Sequence, residues 1–153
     1  MIIPLALLIG VVAGLRAMTA PAAVSWAAHF GWINLSDTAL ALLGYAWTPW
    51  ILTLLAVAEL VTNQLPSTPS RTVPMQFGAR IVTGALSGGA IGAAGGRLLI
   101  GAILGIVGAV IGTLGGHAIR ARLAATFGKD PPAAFLEDAV AIVAALLIVM
   151  VMP

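Results

Sequence analysis

The stretch GALSGGAIGAAGGRLLIGAILGIVGAVIGTLGG, Gly84 to Gly116, decides how this chain folds. Twelve of the chain's eighteen glycines lie in it, at regular spacing. Gly84, Gly88, Gly92 and Gly96 recur every four residues, as do Gly101 and Gly105, and again Gly108, Gly112 and Gly116. At about 3.6 residues per turn, positions i and i+4 share one helix face. Most other positions are apolar, and Arg97 is the single charge. The pattern predicts two apolar helices, Ile81 to Gly96 and Leu98 to Gly116, forming a glycine-zipper hairpin. Within lipid no hydrophobic force draws helices together, so they associate through the close backbone contact that small residues permit. The glycine faces are expected to pack on each other or on a second copy in a homo-oligomer. A functional alternative is that these thin faces line a narrow path.

The rest of the sequence is equally apolar. Hydrophobic residues make up 61% of the 153, and charged residues only 8%, against roughly 25% in ordinary globular domains. That composition excludes a small soluble protein and predicts a surface that faces hydrocarbon. The expected fold class is all-α: a single polytopic transmembrane domain over residues 1–153, in contact with the lipid bilayer. The basic pI reflects a net charge of only +2, with no Lys/Arg stripe to follow phosphates, so no nucleic-acid partner is expected.

A spanning helix needs about 20 mostly apolar residues. The first block runs from Ile2 to about Thr19, with Pro21 as the expected break. Nothing basic precedes it and Arg16 follows it, the reverse of a cleaved signal. Ala22 to Phe30 is a short apolar stretch expected at the interface or packed back. Thr38 to Trp47 reads as a separate short helix before a span from about Pro49 to Gln64, or else as the start of one long kinked helix. Leu65 to Pro74 is a proline-rich loop. After the glycine hairpin come a basic segment, His117 to Asp130, and a last block from about Ala133 to Met152. The expectation is about five spans. The loops after spans two and four carry Arg71, Arg80, Arg120, Arg122 and Lys129. The positive-inside rule then places the N-terminus in the cytoplasm, for a multi-pass protein of the inner (cytoplasmic) membrane.

Gly14-Leu15-Arg16-Ala17-Met18-Thr19 and Gly78-Ala79-Arg80-Ile81-Val82-Thr83 both read G-x-R-x-x-T. Each half of the chain later contains an acid, Glu59 or Glu137. Inverted repeats are a common transporter design, with the site at the repeat interface. On a five-span count, however, the two arginine blocks would run parallel.

Glu59 is the most informative single residue. It ends a run of 21 uncharged residues, and an acid at the centre of a membrane helix costs roughly 2.5–3.5 kcal/mol on insertion scales. It must be protonated, paired or facing water. It reads as a proton or cation ligand together with Asn63, one turn on, or as the structural partner of Arg16 or Arg80. Glu137 and Asp138 are either acids stabilising the N-terminus of the last helix or members of the same polar site. Arg16 and Arg80 are possible anion or headgroup contacts, or ion-pair partners. Arg120, Arg122 and Lys129 read as topology determinants. His29 and His117 are isolated, so no metal or cofactor is expected, and no catalytic motif indicates an enzyme.

In Gly14-Leu15-Arg16, in Glu59 through Pro74, in the glycine hairpin and in Glu137-Asp138, the chain resembles a bacterial family of small membrane proteins known only as a domain of unknown function. The Pro-Ser-Thr-Pro-Ser-Arg loop behind an acid-bearing helix is the most recognisable piece. The resemblance implies a second acid at the position of Asn63. Its replacement here weakens a paired-carboxylate cation site. Two functions remain open. One is a transporter or channel for an ion or small solute, with Glu59, Asn63, Arg16 and Arg80 around an intramembrane polar site. The other is a packing, assembly or lipid-interacting protein, in which the same residues form internal ion pairs.

Overall fold

The computed structural model describes residues 1–65 and 70–152. Pro66 to Pro69, part of the expected proline-rich loop, lie outside the described residues. Among the described residues the chain is all-helical: α1 (Ile2–Leu15), α2 (Thr19–His29), α3 (Thr48–Thr62), α4 (Pro74–Ala94), α5 (Leu98–Phe127) and α6 (Asp130–Met150). A single 3-10 turn, Ala41–Gly44, lies between α2 and α3. Two helices, α5 and α6, are long and apolar enough to cross a membrane.

Three helices make the centre, and glycine lets them meet. In α4, Gly84 faces Gly105 and Ala109 of α5, Gly88 faces Gly101 and Gly105, and Gly92 faces Gly101. On another side of α5, Gly108 lies against Leu7, Gly10 and Val11 of α1, and Gly112 against Val11. Gly10 and Gly14 of α1 return these contacts, against Gly105 and against Ala109 and Gly112. A β carbon at any of these positions would collide with main-chain atoms. The glycine faces of α4 and α5 meet within one chain, and the second glycine face of α5 lies against α1. Gly96 departs from the expectation. It lies off the packing face, at φ 68, in the turn after α4. There the Arg97 N–H bonds the Gly92 carbonyl and the Gly96 N–H bonds that of Ala93, the paired closure that a left-handed glycine allows.

These contacts fix direction. The residues of α1 and α5 meet in rising order, so the two run parallel, and α4 runs antiparallel to both. Glu59 reaches Ala17 and Met18 while Thr53 bonds Trp26, so α2 and α3 form an antiparallel pair. Arg120 meets Asp130 and Glu137, which makes α5 and α6 an antiparallel hairpin. The helices alternate, and both chain ends lie at the same end of the bundle. α1 and α4 therefore run antiparallel, where the five-span count has them parallel. The helix that reverses the direction of the chain between α1 and α3 is α2, eleven residues long.

Several boundaries move for identifiable reasons. α1 stops at Leu15 instead of Thr19, and Pro21 opens α2 instead of breaking the chain. Proline in a first turn lacks only an N–H that would have no intrahelical partner there. α2 packs back, with most of its residues buried. Between Thr38 and Trp47 only the 3-10 turn forms. α4 starts at Pro74, which places Arg80 inside a helix and not before one. α5 continues through the basic segment to Phe127, because no breaker occurs before Gly128, which ends it at φ 75.

Gly105→Ala should lower the thermal unfolding midpoint in detergent, by overpacking on the order of 1–3 kcal/mol, because its β carbon lands on the Gly84 carbonyl. Gly115→Ala meets nothing within 4 Å and should leave the midpoint level or slightly higher. Equal effects at the two positions would refute the packing account.

Candidate functional site

Charge gathers at one end of the bundle, where α1, α3 and α5 finish and α2, α4 and α6 begin. Its focus is the gap between α1 and α2. Arg16 is extended there (φ −141, ψ 114), so two helices end face to face with free backbone groups. Two side chains of opposite sign close the gap. The Arg80 guanidinium, from α4, donates through Nη1 to the Gly14 carbonyl at 2.8 Å, and the Thr113 hydroxyl donates to the same oxygen at 3.3 Å. The Glu59 carboxylate, from α3, accepts from the Ala17 and Met18 N–H groups, each at 2.8 Å. A cation sits on a helix C-terminus and an anion on a helix N-terminus, as the peptide dipoles favour. The two charges also face one another, with Arg80 Nη2 3.6 Å from Glu59 Oε1.

Arg16 turns the other way. It is fully buried and pairs with Asp138 on α6 through Nε and Nη2. Glu137 beside it is clamped by both terminal nitrogens of Arg71, and Arg16 and Arg120 stand at 3.6 and 3.5 Å. Gln64 donates to the other oxygen of Asp138 at 2.9 Å. Arg120 also pairs with the half-exposed Asp130. A cleft of about 640 Å³ opens over this network, bordered by Asn63, Gln64, Arg71, His117, Arg120 and Asp130.

Five of the six expected polar-site residues thus meet: Arg16, Glu59, Arg80, Glu137 and Asp138. Asn63 does not join Glu59. It lines the cleft, and its main-chain carbonyl accepts from Arg120 at 3.4 Å. Glu137 and Asp138 do not cap α6 either. They lie about two turns in, and Asp130 occupies the first turn. Of the two partners weighed for Glu59, Arg80 is the one in contact.

Arg71 and Arg120, read from sequence as loop charges, are ligands of Glu137, and Gln64 had no assigned role. The available signal was Glu137 and Asp138, adjacent acids ahead of an apolar run, which need more than one arginine between them. The two G-x-R-x-x-T segments are joined crosswise. Arg16 of the first binds acids of α6, and Arg80 of the second faces the acid of α3 and bonds the glycine of the first.

An all-helical bundle with an apolar exterior and a buried ion-pair network at one end is the class these features define. The chain belongs to the family described as a domain of unknown function (DUF4126), which it matches over residues 3–153. No curated protein and no solved structure matches it.

Removing one member of a buried pair leaves an uncompensated charge and costs about 3–5 kcal/mol, whereas replacing both by apolar residues is often nearly neutral. Arg16→Met should therefore lower the unfolding midpoint strongly, and Arg16→Met combined with Asp138→Leu should recover part of the loss. A double variant as unstable as the sum of the two singles would show that the pair is not coupled.

Proposed function

We propose that this chain is a polytopic integral membrane protein that moves a small ion or polar solute across the bilayer, with the intramembrane site at the crosswise joint of its two halves. The observation that carries this reading is the reciprocal pairing. The arginine of each G-x-R-x-x-T segment is neutralised by an acid of the other half, across a pair of antiparallel first helices. In inverted-repeat transporters the site lies where two such halves meet, beside a broken helix. The gap at Arg16 is such a break. The open cleft is lined by Gln64, Arg71 and Arg120, the residues that hold Asp138 and Glu137.

The membrane placement draws support from both ends of the bundle. Away from the charged end lie Trp26, Phe30, Trp32 and Trp50, in contact with one another, and the exposed Tyr45 and Trp47. Tryptophan and tyrosine favour the headgroup level. Between the ends, large apolar side chains such as Leu54, Val82, Leu99 and Val143 are exposed. Six of the seven basic residues belong to the charged end. The positive-inside rule puts that end in the cytoplasm and both chain ends on the far side, opposite to the orientation that five spans imply. The chain has no cysteine, so single-cysteine variants test this directly. An impermeant maleimide applied to intact cells should label Trp47→Cys and spare Arg122→Cys; the reverse pattern would overturn the orientation.

A second reading, membrane assembly or lipid organisation without transport, is favoured by one observation: Glu59 is held by Arg80 and two amides and does not line the 640 Å³ cleft. Flux separates the two. Wild-type protein in liposomes should pass at least one ion or small solute from a broad panel, and Gln64→Ala, which alters the cleft without removing a charge, should slow it several-fold. Folded protein that passes none of the panel sinks the transport reading.

A further inference from the structure

The gap between α1 and α2 has the chemistry of an anion site, and a side chain of the protein occupies it. Two main-chain N–H groups, of Ala17 and Met18, converge on the Glu59 carboxylate at 2.8 Å each. The charge that faces them, Arg80, is 2% exposed. It is only partly used: Nη1 serves the Gly14 carbonyl, Nη2 stands 3.6 Å from Glu59, and Nε has no partner among the described residues. Thr19, next after Met18 and the first residue of α2, is also more than nine-tenths buried, and its hydroxyl has no partner among the described residues. These donors exceed what one carboxylate uses. Glu59 comes from a different helix and retains 14% of its side-chain exposure, so the site lies within reach of an exchanging ligand.

We infer that this gap is a site for a small monovalent anion, a halide or a short carboxylate, and that Glu59 is its built-in occupant, so that a free anion enters where the Glu59 carboxylate is absent. The charged groups around the gap set the valence. Arg80 of α4 faces it, Arg16 at the break turns away to Asp138 with Arg71 beyond, and Glu137 and Asp138 of α6 already draw on Arg16 and Arg71. One negative charge replaces that of Glu59 without excess, and a divalent anion would place surplus charge beside two buried acids. The site does not depend on the transport reading above.

Binding is measured without flux, so the two can fail separately. In detergent at constant ionic strength, with gluconate as the balancing anion, Glu59→Ala should unfold at a lower temperature than wild type. Sodium chloride or sodium formate should raise its midpoint saturably, as ligand binding to the folded state requires. Wild type should not respond, nor should Glu59→Ala combined with Arg80→Met. Response to formate alone defines a carboxylate site, and response to both salts a general monovalent-anion site; either supports the inference. Response to neither, or an equal response in the double variant, makes Glu59 a helix cap only and overturns it. Should Glu59→Ala not accumulate, equilibrium binding of radiolabelled chloride to Glu59→Gln serves instead. One site per chain is expected there and none in wild type, and equal binding by the two overturns the inference.

Discussion

A helix interrupted inside apolar surroundings must find partners for its freed backbone groups, and the ion-pair network of this bundle is built around one such interruption. α1 ends at Leu15 and α2 begins at Thr19, with no water-exposed loop between them. An unpaired buried peptide group costs as much as a lost hydrogen bond or more. The free carbonyl of Gly14 is met by Arg80 and Thr113, that of Leu15 by the guanidinium of Arg16 at 3.1 Å, and the free N–H groups by Glu59. Each ionised group brought in for this purpose needs a counter-charge of its own. Arg16 draws Asp138 and Glu137, and Glu137 in turn holds Arg71 and Arg120. The network ends where it reaches the half-exposed Asp130, which water can solvate.

The glycine faces make this solution geometrically available. Arg80 and Thr113 reach one carbonyl of α1 from two different helices, α4 and α5. Both must approach the α1 backbone closely, and the approach is set by Gly10 and Gly14 on one side and by Gly105, Gly108 and Gly112 on the other. A larger residue in that interface would separate the helices and leave the Gly14 carbonyl without its donors. Packing and electrostatics here are therefore one constraint.

Much of this was legible in the sequence, and what was not has specific causes. The glycine spacing fixed the hairpin, because i and i+4 identity is a direct statement about a helix face. The cost of Glu59 in an apolar run left it protonated, paired or facing water, and Arg80, one of the two arginines weighed as its partner, is in contact with it. The break at Arg16 carries no such mark. No glycine or proline stands at residues 15–18, and Pro21 drew the expected boundary downstream to a residue that helices accept in their first turn. Hydropathy also misplaced the start of α4 and the end of α5, since it registers where a helix becomes apolar and not where it begins. For that reason Arg80 and Arg120, both within helices, were expected outside them. Arg71 could not be assigned, because its partner lies 66 residues away and no local pattern connects them.

The sequence separation within the ion-pair network also orders biosynthesis. Arg16 and Asp138 stand 122 residues apart. At about 5–20 residues per second, the ribosome completes Arg16 several seconds or more before its carboxylate exists. Glu59 and Arg80 are both made in the interval, so the gap between α1 and α2 can close early. Arg16 and Arg71 must wait for α6, and until then these guanidinium groups lack the carboxylates that pair with them. The last helix is thus the step that neutralises charges already in place, and a chain made only as far as α5 holds two arginines without their counter-charges.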